Sequence, residues 1–287
     1  MVGRRENTML KAATGLEGGC VASGSTCGVL SSGSLGLALK NEEAICKGKR
    51  TAKKDVLCQA GEYVKWFKEK YGTSFCRERT RADFYSVRGQ LRYFLPGDRV
   101  AKCMWHIRGA MRNLYELQPQ GYERSEELSS KVDEQSIHCA QVVLEGIRKQ
   151  TGIGSKRLEN LSFVLDGGVG LQGGLCGAMA GAIMGINLLL GLDIRDISYW
   201  QTIKAFTIGH VNLLVDNPVG SPESFMAGRQ VVEKFKKEFG SVECLAITGK
   251  RFTGWDDFQT HIVDSGQCKR LMDVAICGAS EIILKYK

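Results

Sequence analysis

Four cysteines in the second half of the chain have the types and spacing to share one chemical centre. They are Cys139, Cys176, Cys244 and Cys268, which lie 37, 68 and 24 residues apart. Each stands in, or at the start of, a separate predicted helix, so a helical bundle can bring all four together. Four thiolates around one centre suit an iron-sulfur cluster or a zinc ion. The same thiols can instead cycle between dithiol and disulfide without a metal.

The surroundings of Cys176 favour an ionised sulfur. A glycine-rich turn precedes Cys176, and Gly177 follows it. Such a turn before a helix exposes backbone N–H groups, which stabilise a thiolate together with the helix dipole and also donate to cluster sulfides. Cys176 and Gly177 are therefore predicted to belong to the site. His138 and His261 are candidates for proton transfer beside the cysteines, with a surface or satisfied core histidine as the alternative.

The chain contains an internal sequence repeat, in which three cysteines recur in the same order. The aligned segments are 15–28 with 164–177 and 63–76 with 231–244. The matched pairs are Cys27 with Cys176, Cys76 with Cys244, and Cys103 with Cys268. A buried cysteine can serve as a small hydrophobic residue, but core packing does not require cysteine at three matched positions. The repeat therefore predicts a duplicated functional site.

The first half is predicted to be a diverged copy. It begins too late to contain a counterpart of the helix that carries Cys139, so that helix is expected to be missing from it. Cys20, seven residues before Cys27, can replace the missing fourth ligand or fill the core at the position of Val169. The second candidate ligand set is Cys20, Cys27, Cys76 and Cys103. The second half is expected to have kept the working site.

No motif of another chemistry competes with the cysteines. The sequence lacks C-x-x-C and C-x-x-C-H, a P-loop, G-x-S-x-G and H-E-x-x-H, which argues against attached haem, a thioredoxin-like site and a zinc ribbon. Cys103 and His106 stand three residues apart on a predicted helix, within reach of one metal ion. His106 aligns with Leu271, however, so the two halves are not expected to share this arrangement.

Helical spacing dominates the chain and predicts a mostly α fold, with two similar helical-bundle repeats packed together. The first repeat is assigned to residues 1–120 and the complete second repeat to residues 125–287, with a polar boundary at 117–126. A long amphipathic helix is predicted over 126–149. Residues 175–192 carry no charge, yet the aligned segment of the first half is too polar to span a membrane. A closely packed core helix is therefore predicted there instead of a membrane span.

The composition fits a globular protein with a large core. Hydrophobic residues make up 43% of the chain and charged residues 24%. The net charge of +8 is dispersed, and no aromatic-basic recognition motif accompanies it, so nucleic-acid binding is not predicted. The N-terminus has no apolar secretory segment, so a cytoplasmic location is expected. In that reducing compartment the eleven cysteines are not expected to form a disulfide framework.

These cysteines and glycines resemble the redox-active family named for its C_GCAxxG_C_C pattern. Residues 176–181 read CGAMAG, the intact central motif, whereas residues 27–32 read CGVLSS, with serine in place of the second glycine. The leading cysteine of the family resembles Cys139, and the two later ones resemble Cys244 and Cys268. The resemblance implies redox activity or metal-cluster binding, mostly in anaerobic bacteria and archaea. It implies no defined reaction or redox partner, and it leaves both enzyme activity and homo-oligomer formation open.

Overall fold

The computed structural model describes residues 7–47, 50–117 and 136–287. Within these residues the chain forms fifteen α-helices and no β-strand, which confirms the predicted mostly α fold. The helices are α1 (Asn7–Ala13), α2 (Gly28–Lys40), α3 (Glu42–Cys46), α4 (Arg50–Tyr71), α5 (Cys76–Thr80), α6 (Val87–Phe94), α7 (Asp98–Glu116), α8 (Cys139–Thr151), α9 (Lys156–Leu161), α10 (Gly177–Leu190), α11 (Tyr199–Asn212), α12 (Ser224–Phe239), α13 (Cys244–Thr248), α14 (Trp255–Asp264) and α15 (Gly266–Tyr286).

The two halves repeat one order of helices. The matched pairs are α1 with α9, α2 with α10, α4 with α12, α5 with α13, α6 with α14, and α7 with α15. The backbone hydrogen bonds repeat as well: the N–H of Cys27 donates to Ser74 O at 2.8 Å, and that of Cys176 to Val242 O at 2.8 Å. Among the described helices, α8 and α11 belong to the second half alone. The α11 helix is the insertion that lengthens the second half.

A left-handed turn of backbone precedes the central cysteine in each half. Residues 18–22 and residues 167–171 all have φ between 49° and 83°. This conformation costs about 1–2 kcal/mol for each residue other than glycine, so it normally occurs at single positions. Its presence over five consecutive residues in both copies shows that the duplication extends to the strained backbone before Cys27 and Cys176.

The uncharged segment after Cys176 forms the central helix of the core. Gly177–Leu190 is the α10 helix, and its residues 177–187 are all buried. The α8 and α15 helices and α1 of the first half pack around it. Within the part of the chain that the structure describes, no helix is long and apolar enough to cross a membrane. The prediction of a core helix is thereby confirmed.

Helices and turns of each half pack against the core of the other half. The α1 helix packs on α10 of the second half, and the 3₁₀ turn Ser162–Leu165 packs on α2 and α4 of the first half. Arg77 forms an ion pair with Glu243 across the junction, with Nη2 3.2 Å from Oε2. Each half therefore supplies part of the other's core.

The predicted long helix over 126–149 starts later than the sequence indicated. Residues 136–138 are not helical, and α8 begins at Cys139. Residues 126–135, and the boundary at 117–126 apart from Leu117, lie outside the described residues. The predicted ends of two other helices are confirmed, since Gly72 and Gly240 follow α4 and α12 with φ of 86° and 76°. A left-handed glycine at this position is a common helix terminus.

Candidate thiol site

The four predicted cysteines of the second half line one cavity. Cys139 is the first residue of α8, Cys176 caps α10, Cys244 is the first residue of α13, and Cys268 is the third residue of α15. Every one of these thiols therefore stands at the N-terminal end of a helix. Helix N-termini carry partial positive charge and free N–H groups, which favour a negative group between them. We call this cavity the thiol site.

The thiol site is buried and has little free space. The four cysteines are each at most 8% exposed. Phe252, Phe258 and Leu271 form the apolar part of the wall. The free volume is about 10 Å³, which accommodates about one water molecule.

Gly177 allows the two central helices to meet at the site. A Cβ atom at Gly177 would lie 2.9 Å from Cβ of Cys139 and 3.2 Å from the carbonyl oxygen of Leu165. Because real Cβ contacts are longer than this, a larger residue would push α8 away from α10. The glycine after Cys176 is thus required for the leading cysteine to reach the cavity.

Burial raises the pKa of every thiol in the site. For Cys139 the nearby Asp166 and the other three cysteines raise it further. The pKa of Cys176 rises to about 11, held down by the backbone N–H groups of Met179 and Ala178, which donate to its sulfur. Without a bound cation these thiols are therefore protonated at neutral pH.

A buried carboxyl group fixes the start of α8. Asp166 accepts a hydrogen bond from the backbone N–H of Cys139 at 3.0 Å, and its Oδ2 lies 2.7 Å from Nδ1 of His138. Asp166 and His138 are almost completely buried. The carboxylate satisfies a backbone N–H that the first turn of a helix leaves free. This contact explains why α8 begins at Cys139.

The two candidate histidines have different surroundings. Nε2 of His261 lies 3.7 Å from Sγ of Cys268, so its imidazole contacts the site directly. His138 instead turns Nδ1 to Asp166 and packs against Trp255 and Phe163. Its Nε2 atom is buried and has no partner among the described residues.

The arrangement of donors does not match a site for one metal ion. In residues 7–47, 50–117 and 136–287, no three or more His, Cys, Asp or Glu side chains are placed to hold a single ion. The four thiols share a cavity without converging on one point. In an iron-sulfur cluster the cysteines bind several irons, so its ligands need not converge in this way.

The matched cysteines of the first half surround a much larger space. Cys27, Cys76 and Cys103 line a cavity of about 410 Å³, which we call the first-half cavity. Cys103 lies in the second turn of α7, unlike Cys268 at the start of α15. Cys20 is fully buried in the left-handed turn and does not line the cavity. The structure therefore brings together three cysteines of the second candidate set.

The imidazole of His106 contacts Arg79 and Tyr71 instead of pairing with Cys103 around a metal ion. Its Nδ1 contacts the guanidinium of Arg79, and its ring packs on Tyr71 with the centroids 4.1 Å apart. Nη1 of Arg79 donates to Sγ of Cys27 at 2.9 Å. The guanidinium of Arg79 thus lies between Cys27 and His106 and orients the imidazole.

Two functional residues were missed by the sequence reasoning. Asp166 positions Cys139, and its signal is the acidic residue that both halves carry before the paired glycines, Glu17 in the first half. Arg79 holds the sulfur of Cys27, and it aligns with Ile247, so no repeated pattern marks it.

Duplicated left-handed turns, matched helices and helix-end cysteines define an all-helical tandem-repeat protein with one complete thiol centre. The sequence pattern of the family "Putative redox-active protein (C_GCAxxG_C_C)" matches residues 1–117 and 137–282. The chain belongs to this family, and both halves are copies of its domain. This confirms the resemblance to a family that is described as redox-active. Neither the curated proteins nor the solved structures contain a significant match to the chain.

Proposed function

We propose that the second half holds an iron-sulfur cluster and uses it in electron transfer or redox sensing. Its ligands are Cys139, Cys176, Cys244 and Cys268. The observation that carries the proposal is that all four thiols stand at helix N-termini around one closed cavity. Four thiolates and the cluster sulfides form an anionic group, which the N-terminal ends of the longer helices α8, α10 and α15 stabilise.

The donor set and its surroundings fit such a cluster. Burial opposes free thiolates here, whereas metal binding removes the protons and neutralises the charge. When bound, the cluster supplies one-electron transfer at a potential set by burial and by hydrogen bonds to sulfur. The protein's own contribution is to hold the ligands: the N–H groups of Ala178 and Met179 donate to the sulfur of Cys176, and the hydroxyl of Thr248 donates to the carbonyl oxygen of Cys244 at 2.8 Å. Phe252 and Phe258 form an apolar wall beside the cysteines.

The cavity volume sets a condition on this proposal. A cluster is larger than the one water molecule that about 10 Å³ accommodates. The cysteine side chains must therefore rotate away from the centre when a cluster binds. Each thiol lies within the first turn of its helix or caps it, so this rotation leaves the helices in place.

Two other functions use the same thiols. Thiol-disulfide exchange needs accessible thiolate, and burial with raised pKa values disfavours it here. A zinc-stabilised interaction module needs donors that converge on one ion. No such group is formed in the described residues before the cysteine side chains rotate, and a cluster also requires this rotation.

Purification without oxygen tests the proposal against both alternatives. We expect brown protein with broad absorbance near ~400 nm, iron, and acid-labile sulfide. A colourless, metal-free protein with a reversible disulfide among the four cysteines would establish thiol exchange instead. Zinc that survives dialysis, with no redox activity, would establish the interaction module.

A further inference from the structure

The first-half cavity occupies the place where the second half has the start of α8. A Cβ atom at Gly177 would contact Cys139 and the backbone N of Ala140. At the aligned Gly28 the three atoms nearest to an added Cβ all belong to the backbone of Leu16 and Glu17. At Gly36, farther along α2, none of the described residues comes within 4 Å of an added Cβ. The cavity of about 410 Å³ therefore opens beside α2, where α8 closes the thiol site in the second half.

Five aromatic side chains form part of the cavity wall. Phe84, Tyr93 and Phe94 come from the first half, and Phe206 and His210 come from α11 of the second half. Phe94 packs edge-on against Phe206, with the ring centroids 6.1 Å apart. The α11 insertion thus completes the cavity from outside the repeat. Small-molecule sites combine such a volume and such walls with a few polar groups.

Glu17 is one of the polar residues that line the cavity, and one of its carboxyl oxygens has no hydrogen-bond partner among the described residues. The Oε1 atom of Glu17 is buried and has no hydrogen bond within the part of the chain that the structure describes. The aligned Asp166 accepts hydrogen bonds from the N–H of Cys139 and from His138. Glu17 lines the first-half cavity, which takes up the space where those donors lie in the second half. A buried acceptor without a donor is unfavourable, and a ligand that supplies the donor relieves it.

We propose that the first-half cavity binds a small aromatic molecule that carries an O–H or N–H donor. Its ring lies among Phe84, Phe94 and Phe206, and its donor binds Glu17. The sulfur of Cys27, which also lines the cavity, already accepts a hydrogen bond from Arg79. This site does not depend on the cluster in the second half.

Calorimetric titration of the whole reduced protein tests this proposal with matched probes. The probes are 1-naphthol, 1-naphthylamine and 1-methoxynaphthalene, which share one ring system and differ in the donor. We expect a probe with a donor to bind about tenfold more tightly than the methoxy compound. The comparison of naphthol with naphthylamine tells whether an O–H or an N–H is preferred.

Three variants locate the binding. Glu17→Leu should remove the preference for a donor and leave ring binding. Ser32→Phe places a ring in the cavity and should abolish binding of all three probes, since Ser32 lines it. Glu69→Leu, at an exposed position of α4, should change nothing. Circular dichroism confirms that each variant is folded.

Several results would overturn the proposal. Equal affinity of the three probes for the unaltered protein would remove the role of Glu17. Absent binding, or binding that survives in folded Ser32→Phe protein, would remove the site. Sedimentation that shows a dimer, lost in Ser32→Phe protein, would identify a second copy of the chain as the occupant instead.

Discussion

Oδ2 of Asp166 lies 2.7 Å from Nδ1 of His138 in a buried pair that ties the leading cysteine to the glycine-rich turn. Its other oxygen accepts the N–H of Cys139 at 3.0 Å. The aligned Glu17 has a buried oxygen with no partner among the described residues. The acidic residue before the paired glycines is thus hydrogen-bonded through both oxygens in the second half, whereas in the first half one of its oxygens lacks a partner among the described residues.

Removing the two carboxyl groups should therefore have unequal consequences. Asp166→Ala leaves two buried donors without an acceptor, and we expect it to lower the free energy of unfolding by about 2–5 kcal/mol. Glu17→Ala removes an unpaired acceptor and should change it by less than about 1 kcal/mol. Unfolding in guanidinium chloride measures both values. Equal losses would contradict the role assigned to Asp166.

The left-handed turn before Cys176 should tolerate no side chain at Gly168. With φ of 83°, an added Cβ would lie 2.3 Å from N of Gly174, whose carbonyl accepts the N–H of Cys244 at 2.7 Å. Gly168→Ala should therefore destabilise the fold by more than about 3 kcal/mol and displace Cys244.

Gly240→Ala is the matched control for this clash. Gly240 has a similar φ of 76°, but an added Cβ meets nothing within 4 Å among the described residues. Only the backbone strain remains, at about 1 kcal/mol. Denaturant midpoints of the two variants separate the clash from the strain, and similar losses would show that Gly168 is not sterically confined.

His106 should make the fold sensitive to mild acid. Burial, with the charges of Arg79 and Lys102, lowers the pKa of His106 to about 4. The unfolded chain binds this proton near pH 6.5, so the stability that the neutral imidazole contributes is present above that pH and lost as pH falls towards 4. Between pH 7 and pH 5 the unaltered protein should lose about 1–2 kcal/mol more than His106→Gln. Parallel losses in the two proteins would contradict this assignment.

Much of the fold and of the thiol site could be predicted because the duplication provides two copies of one arrangement, and positions that agree between the copies stand out. Cys176 and Cys244 have counterparts at the same helix positions, and glycines around Cys176 mark a turn before a helix. Cys268 has its counterpart, Cys103, about one turn farther along the matched helix. Helical periodicity then predicts separate helices for each cysteine. The structure brings these cysteines to one cavity, together with Cys139.

What the sequence could not predict depends on contacts between distant residues. The periodic pattern continues upstream of Cys139, but the helix starts there because Asp166, 27 residues later, accepts its N–H. His106 has helical spacing to Cys103, yet Arg79 from another helix orients it. The first-half cavity requires Phe206 and His210 from an insertion without a counterpart.

The most direct test of the cluster compares iron in two matched double variants after purification without oxygen. Cys176→Ser/Cys244→Ser alters the second half, and Cys27→Ser/Cys76→Ser alters the aligned positions of the first half. We expect the first variant to lose the iron, the acid-labile sulfide and the absorbance near ~400 nm, and the second to keep them. Full iron and sulfide in folded Cys176→Ser/Cys244→Ser protein would contradict a cluster at the thiol site.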